Sequence, residues 1–197
     1  MKKLQLGGFF MIHTKKLTIV SILAAISLLL MRISIPIIPI VPYLRLDFSD
    51  IPILVGFFIF GISGGVQIAV VRSVLYFVLN GISIGSLIGV TSNLLATFSI
   101  SLPLYYILKN QRGFVRYIIA ILIATLSLTV VLSVANWSFI TPLYIQLMGL
   151  KLSLPLNEVV IYGIVPFNLI KGFCVSFVFI LILIHLGAWL KKKGSEF

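Results

Sequence analysis

The chain has 197 residues, of which 60% are apolar and 10% are charged, whereas soluble domains average roughly 45–50% apolar and about 25% charged residues. Its mean hydropathy of +1.23 leaves too little polar surface for a water-soluble globule, so the sequence predicts an all-α integral membrane protein. The net charge of +11 is explained by basic clusters at membrane edges. Because no nucleic-acid-binding motif accompanies them, no nucleic-acid partner is predicted.

Apolar runs between charged residues predict the membrane spans, because about 20 residues are needed to cross the hydrocarbon core. Six transmembrane helices are predicted within one membrane domain of residues 1–197, at residues 16–35, 50–70, 71–82, 86–108, 116–136 and 158–190. The long uncharged run after Arg72 is divided at its polar, glycine-rich middle. Five spans, or a re-entrant segment over residues 72–95, are the alternatives.

Positive charge predicts the orientation of these spans, since cytoplasmic loops carry an excess of Lys and Arg. With six helices, three basic clusters fall on the same side: Lys2, Lys3, Lys15 and Lys16; Lys109, Arg112 and Arg116; and Lys191, Lys192 and Lys193. Both termini are therefore predicted to be cytoplasmic, whether the protein starts at Met1 or at Met11.

The first helix carries a surface of small residues that includes Ser21, Ala24 and Ala25. Small residues spaced by four allow another helix to approach closely, so this surface is a candidate interface for a partner subunit. Packing against another helix of the same chain is the alternative.

The outer loop over residues 36–49 begins with prolines and places Tyr43, Leu44 and Phe48 around Asp47. On the outer side of the membrane, such a loop is a candidate lid over an apolar cavity, and these four residues are candidate ligand contacts.

Two charges near the second helix have simpler interpretations than ligand binding. Either Ser49 or Asp50 is expected to cap the N-terminus of that helix. Arg72 is expected to extend along the membrane to the cytoplasmic surface, near the glycine turn at residues 61–65.

Lys171 is the one basic residue that topology does not explain. It lies about 18 Å inside the sixth helix at 1.5 Å per residue, too far from the outer water to reach it easily. Asn168 faces the same way three residues earlier, and Asn136 is a further amide near the outer end of the fifth helix. These donors suit a ligand with carbonyl or ring-nitrogen acceptors. An ion pair of Lys171 with Asp47 or Asp50 is the alternative, and the two can coexist.

No motif for catalysis or metal binding is found. The sequence lacks a phosphate-binding loop, a His-Glu-x-x-His pattern and a Gly-x-Ser-x-Gly elbow. The single cysteine, Cys174, excludes an intrachain disulfide and a thiolate metal cluster. The chain is therefore predicted not to be an enzyme and to hold no metal or cofactor.

Three sequence motifs are informative when they are taken together. They are Leu44-Arg45-Leu46-Asp47-Phe48-Ser49-Asp50-Ile51-Pro52, Gly61-Ile62-Ser63-Gly64-Gly65 and Pro166-Phe167-Asn168-Leu169-Ile170-Lys171-Gly172. Together they resemble the S component of energy-coupling factor (ECF) transporters, the small six-helix membrane subunit that captures a vitamin. Within that group the chain is most similar to the riboflavin-specific S component. The resemblance covers nearly the whole chain; its first motif is the most specific and the glycine turn is generic.

The resemblance implies that Asn168 and Lys171 hydrogen-bond the ring of riboflavin and that Asn136 is a third ring-binding amide. It implies that Ser21-x-x-x-Ala25 contacts a transmembrane coupling subunit, although the family usually has alanine at the first position. Two cytoplasmic ATPase subunits, a multi-pass location in a bacterial cell membrane, and riboflavin as transported ligand rather than cofactor are also implied. An S component for another vitamin or precursor, and a structural membrane protein without a transport role, are the alternatives.

Overall fold

The structure, a computed structural model, describes residues 2–194; of residues 2–13, 188, 190, 191, 193 and 194 it describes the backbone alone. The predicted all-α fold is confirmed, since helices hold most of the described chain. The predicted basic clusters at the two ends include Lys2, Lys3, Lys191 and Lys193, whose side chains lie outside the described residues.

The described residues form seven α-helices, α1 Lys2–Arg32, α2 Asp50–Asn80, α3 Ile84–Leu108, α4 Phe114–Ala135, α5 Thr141–Met148, α6 Leu156–Val159 and α7 Val165–Gly194. Two π-helical turns, Asn136–Ile140 and Val160–Ile164, join α4 to α5 and α6 to α7. The five stretches long and apolar enough to cross a membrane are Thr14–Arg32, Asp50–Asn80, Ile84–Leu108, Phe114–Met148 and Leu156–Gly187.

Helix α2 turns back on itself at Gly61, whose φ of 73° and ψ of −167° are not helical. A Cβ placed on Gly56 would lie 3.9 Å from the Cα of Gly65, although residues nine positions apart in a straight helix are separated by about 13.5 Å. The two halves of α2 therefore lie side by side and antiparallel. The predicted helix boundary between residues 70 and 71 is corrected to Gly61, because the break needs a positive φ that glycine tolerates.

The predicted helix over residues 116–136 also continues further than its sequence suggested. Polar residues that suggested an outer loop bond back to their own helix instead: Asn136 Nδ2 donates to the Leu132 carbonyl at 2.8 Å, and Ser138 Oγ donates to the Val134 carbonyl at 2.7 Å. Because these side chains satisfy themselves within the helix, the chain stays helical to Met148.

The outer loop between α1 and α2 contains two short antiparallel strands, β1 (Ile35–Pro36) and β2 (Arg45–Leu46). Val41 in this loop is fully buried against Val159 and Ile164. The loop is thus packed onto the segment that precedes α7, and it covers that end of the helix bundle.

Helix α1 packs against both halves of α2, where Ala24 is fully buried in a cluster with Ile53, Phe57 and Ile68. The prediction that Ala24 belongs to a surface for a partner is therefore wrong. The small side chain of Ala24 allows α1 to pack closely against α2, and packing within the chain is the alternative that the sequence left open.

Replacing Gly61 with alanine is expected to destabilise the fold by about 1–3 kcal/mol, because its φ and ψ lie in a region that is essentially reserved for glycine. Thermal unfolding of the detergent-purified protein measures this loss. Gly113→Ala is the control, since φ there is an extended 168° and a Cβ would meet nothing within 4 Å. Equal melting temperatures for the two variants would contradict the turn at Gly61.

Candidate ligand-binding cavity

A cavity of about 490 Å³ lies beneath the loop between α1 and α2, among the ends of α1–α4, α5 and α7 that this loop covers. Its size falls in the range of roughly 300–1,000 Å³ that is typical of sites for small molecules. Apolar and aromatic walls, among them Leu132, Ile140 and Phe167, alternate with a set of amide, hydroxyl and charged side chains. This combination suits a flat, largely apolar molecule that carries hydrogen-bonding groups at its edges.

The cavity brings together six of the seven residues predicted to bind ligand: Tyr43, Leu44, Asp47, Asn136, Asn168 and Lys171. The seventh, Phe48, does not line it and packs against the main apolar core instead. Successive side chains of an extended segment point in opposite directions. Because Asp47 faces the cavity, its neighbour Phe48 faces the core.

Each π-helical turn lies next to a predicted amide. Asn136 begins the first turn, Asn136–Ile140, and Asn168 follows the end of the second, Val160–Ile164, by one helical turn. A π-helical turn inserts an extra residue into a helix and is frequent at functional sites. The helical geometry therefore changes at or near both amides that line the cavity, Asn136 and Asn168.

Asn168 has donor capacity that the protein does not use. The residue is 4% exposed, and its Nδ2 has no hydrogen-bond partner within the described residues. A buried polar group without a partner costs about 1–3 kcal/mol. Asn168 lines the cavity, so an acceptor on a bound ligand that approaches Nδ2 would remove this cost.

Asn136 is partly satisfied within the protein. Its Nδ2 donates to the Leu132 carbonyl at 2.8 Å, and its Oδ1 accepts from Thr141 Oγ1 at 3.2 Å. An amide nitrogen carries two hydrogens, so one of them remains for a ligand while the internal bonds fix the orientation of the side chain.

The position of Lys171 is compatible with both roles that the sequence left open. Its Nζ lies 3.2 Å from Oδ2 of Asp47 and 3.8 Å from Oδ2 of Asp50, so the predicted ion pair is present. Lys171 and Asp47 also both line the cavity. An ammonium has three donors, and a ligand acceptor can therefore bind it without displacing Asp47.

Arg72 does not extend to the cytoplasmic surface as predicted, because it is 1% exposed and lies 3.4 Å from Oδ1 of Asp50. The turn at Gly61 explains the difference: Asp50 lies eleven residues before Gly61 and Arg72 lies eleven residues after it. In an antiparallel hairpin the two meet at the same depth. Neither Ser49 nor Asp50 caps α2 through its side chain as predicted; both side chains contact Arg72 instead.

Residues of α3 line the cavity although the sequence reasoning did not assign them to it. They are Gly89, Ser92, Asn93 and Ala96. Their spacing places small and polar side chains on one face of an otherwise apolar helix, and this pattern is the signal that could have found them. Ser92 Oγ is buried and, like Asn168 Nδ2, has no hydrogen-bond partner within the described residues.

Ser21 and Ala25 stay candidates for the predicted partner interface. Ser21 and Ala25 are exposed on α1, beside the buried Ala24. Only 22% of the apolar, membrane-spanning stretch of α1 is buried inside the protein, against 39–50% of the corresponding stretches in the other four spans. Helix α1 is thus the most peripheral span and offers the most uncovered surface.

Comparisons of the chain with known proteins agree on one family. Residues 15–183 match the model of the family described as "ECF transporter, substrate-specific component". A solved structure of the S component of a bacterial ECF transporter superposes with a TM-score of 0.73 and is 38% identical in sequence. The similarity covers 91% of this chain and 99% of that chain.

Several relatives are similar over nearly their whole length. The chain is 39% identical to the riboflavin transporter RibU of Staphylococcus aureus, over 91% of this chain and 94% of the relative. It is 32% identical to the riboflavin transporter FmnP of Bacillus subtilis, over 92% and 96%. For the riboflavin transporter RibU of Streptococcus thermophilus the identity is 34%, over 94% and 89%.

Proposed function

The chain belongs to the substrate-specific components of ECF transporters, and we propose that the substrate it captures is riboflavin. It is a multi-pass membrane protein that acts in transport and not an enzyme, as the sequence predicted. The observation that carries the proposal is the unpartnered, buried amide nitrogen of Asn168, one helical turn from Lys171, in the wall of the same cavity. The names of the relatives, all riboflavin transporters, support the same substrate.

The chemistry of riboflavin is complementary to that of the cavity. Its fused ring is flat and largely apolar, with carbonyl and ring-nitrogen acceptors at one edge. Asn168 Nδ2, Lys171 Nζ and Asn136 Nδ2 are donors that would orient this edge, while burial of the ring would supply most of the affinity. Riboflavin is then a transported substrate and not a cofactor.

The hydroxylated chain of riboflavin would extend to the polar residues at the other walls of the cavity. Ser92 and Asn93 of α3, together with Asn80 at the end of α2, offer donors and acceptors there. The loop residues Tyr43 and Leu44 would cover the bound vitamin from outside, which is the role predicted for a lid.

For topology we propose six membrane segments in one domain of residues 1–197, with both termini in the cytoplasm of a bacterial cell. The turn at Gly61 divides α2 into two of these segments. Lys16 Nζ lies 5.7 Å from the ring centroid of Phe60, next to that turn, whereas Arg32 bonds Asn80 at 3.0 Å. The turn is thus level with the basic start of α1, on the side that the positive-inside rule makes cytoplasmic.

Association with other components of an ECF transporter follows from the family. The specific partners we propose are a transmembrane coupling subunit and two cytoplasmic ATPase subunits, which would supply the energy for release inside. The exposed face of α1 at Ser21 and Ala25 is proposed to contact the coupling subunit, because small residues permit close helix approach.

Bulky side chains on that face are expected to block transport without affecting capture of the vitamin. In Ser21→Trp and Ala25→Trp, cellular riboflavin uptake should fall severalfold because the coupling subunit cannot approach, whereas riboflavin affinity of the purified S component should be unchanged. Val130→Trp is the control, as Val130 is 59% exposed on α4, away from α1. Normal uptake in both α1 variants would place the interface elsewhere.

A thermal-shift panel tests the choice of substrate. A ligand present at a hundred times its dissociation constant stabilises the folded state by about 2.7 kcal/mol, so riboflavin is expected to raise the melting temperature clearly. Other vitamins and their precursors, added one at a time, are expected to have no effect. A shift with another vitamin and none with riboflavin would assign a different cargo to the same scaffold.

A further inference from the structure

Four charged side chains form a buried cluster beneath the cavity, the bases Lys171 and Arg72 and the carboxylates Asp47 and Asp50. Each of these residues is at most 5% exposed, and the two positive charges balance the two negative ones. Lys171 and Asp47 line the cavity, whereas Asp50 and Arg72 are not part of its wall. The cluster therefore consists of a pair that can face a ligand and a pair behind it.

Lys171 lies between two carboxylates that would draw it in different directions. Its Nζ is 3.2 Å from Oδ2 of Asp47, at the cavity wall, and 3.8 Å from Oδ2 of Asp50, behind the wall. Charges in a protein interior attract one another with less screening than in water. Whether the ammonium of Lys171 stays beside Asp47 consequently depends on whether another positive charge already neutralises Asp50.

Arg72 provides this balance. Its Nη1 lies 3.4 Å from Oδ1 of Asp50, and its Nη2 donates at 2.9 Å to Thr97 Oγ1, which in turn lies 2.5 Å from the same carboxylate oxygen. Nη1 also donates to Ser49 Oγ at 3.3 Å, and the backbone N–H of Ser49 donates to Asp47 at 2.9 Å. The guanidinium thus binds Asp50 directly from behind the cavity, and Ser49 links it to Asp47.

We propose that Arg72 is a positioning residue for the ligand: it occupies Asp50, so that the ammonium of Lys171 stays beside Asp47 and donates to the ligand. The inference rests on the proposed function, in which Lys171 binds an acceptor on the ring of riboflavin. Without Arg72, Asp50 carries an uncompensated charge 3.8 Å from the ammonium and draws it away from the cavity. Affinity then falls although Arg72 itself does not line the site.

The two single variants of the Arg72–Asp50 pair separate this role from a merely structural one. Arg72→Gln leaves Asp50 free to take Lys171, so riboflavin affinity is expected to fall about tenfold or more. Asp50→Asn breaks the same ion pair but removes the competing carboxylate, so affinity is expected to stay within about threefold of wild type. Equal losses in both variants indicate a structural role and overturn the proposal.

Two milder variants keep the test decisive if Arg72→Gln does not fold. Arg72→Lys retains a positive charge beside Asp50 and is expected to retain affinity. Thr97→Val removes the hydroxyl that bridges Arg72 and Asp50, and it is expected to weaken binding by about two- to fivefold. Unchanged affinity in Thr97→Val, or a loss in Arg72→Lys as large as in Thr97→Val, overturns the proposal.

The double variant Asp50→Asn/Arg72→Gln completes the cycle, because it restores a neutral cluster. It is expected to regain most of the affinity that Arg72→Gln loses, and failure to regain it counts against the proposal. The same riboflavin titration of the wild-type protein distinguishes failure of the proposed function from failure of the proposed role of Arg72. Absence of wild-type binding overturns the proposed function itself, whereas wild-type binding with equal losses in the two single variants overturns only the role of Arg72.

Discussion

Lys171→Met is expected to produce the largest combined loss of binding and stability of any single change in the cavity. Methionine keeps the length and apolar stem of the side chain but removes its charge and donors. A hydrogen bond from a charged donor contributes about 1.5–3 kcal/mol, so riboflavin affinity should fall roughly 10- to 150-fold in a fluorescence titration. The fold should also weaken by about 3–5 kcal/mol, because one partner of a buried ion pair is lost.

The stability loss follows from the charges that remain. Without Lys171, the buried carboxylates of Asp47 and Asp50 share the single guanidinium of Arg72. Lys15→Met is a matched control, because Lys15 is exposed on α1 and its loss should change neither property. Riboflavin binding by Lys171→Met at wild-type affinity would remove Lys171 from the site.

Asn168→Leu is expected to separate binding from folding. The two side chains have similar shape, and Asn168 Nδ2 makes no hydrogen bond to the protein within the described residues. The free protein should therefore be as stable as wild type or more stable, since a buried unpaired amide is removed. Riboflavin binding should weaken by about 1–3 kcal/mol, or roughly 5- to 150-fold, because a buried acceptor on the ligand loses its donor.

Weaker riboflavin binding together with an unchanged or higher stability of the free protein is the diagnostic result for this variant. Dissociation constants and melting temperatures of the same preparations, in the absence and presence of riboflavin, measure both. Asn110→Leu is the control, as Asn110 is an exposed amide outside the cavity. A melting temperature for Asn168→Leu well below that of wild type, with affinity unchanged, would mean that Asn168 has a structural role.

The sequence predicted two residues of the cavity wall because membrane depth makes charge informative. Lys171 lies too deep in an apolar helix to serve topology, and Asn168 shares its helical face through a spacing of three residues. Both line the cavity. The opposite side of the cavity was missed, since Ser92 and Gly89 are small residues that hydropathy does not distinguish from ordinary helix packing.

The sequence indicated a glycine turn at residues 61–65 but placed the helix boundary after residue 70, for a geometric reason. Hydropathy is high throughout residues 50–80, so it gives no sign of a break, and three neighbouring glycines offer alternative places for one. The φ of 73° at Gly61 decides the position. Without it, the pairing of Arg72 with Asp50, which are 22 residues apart, could not be predicted, and Arg72 was assigned to the membrane surface.

A titration of riboflavin with the purified wild-type protein, followed by the fluorescence of the flavin, tests the central claim most directly. Enclosure of the ring against Asn168 and Lys171 predicts saturable quenching, with one vitamin bound per chain and a dissociation constant below micromolar. No quenching with both vitamin and protein at micromolar concentrations would contradict it.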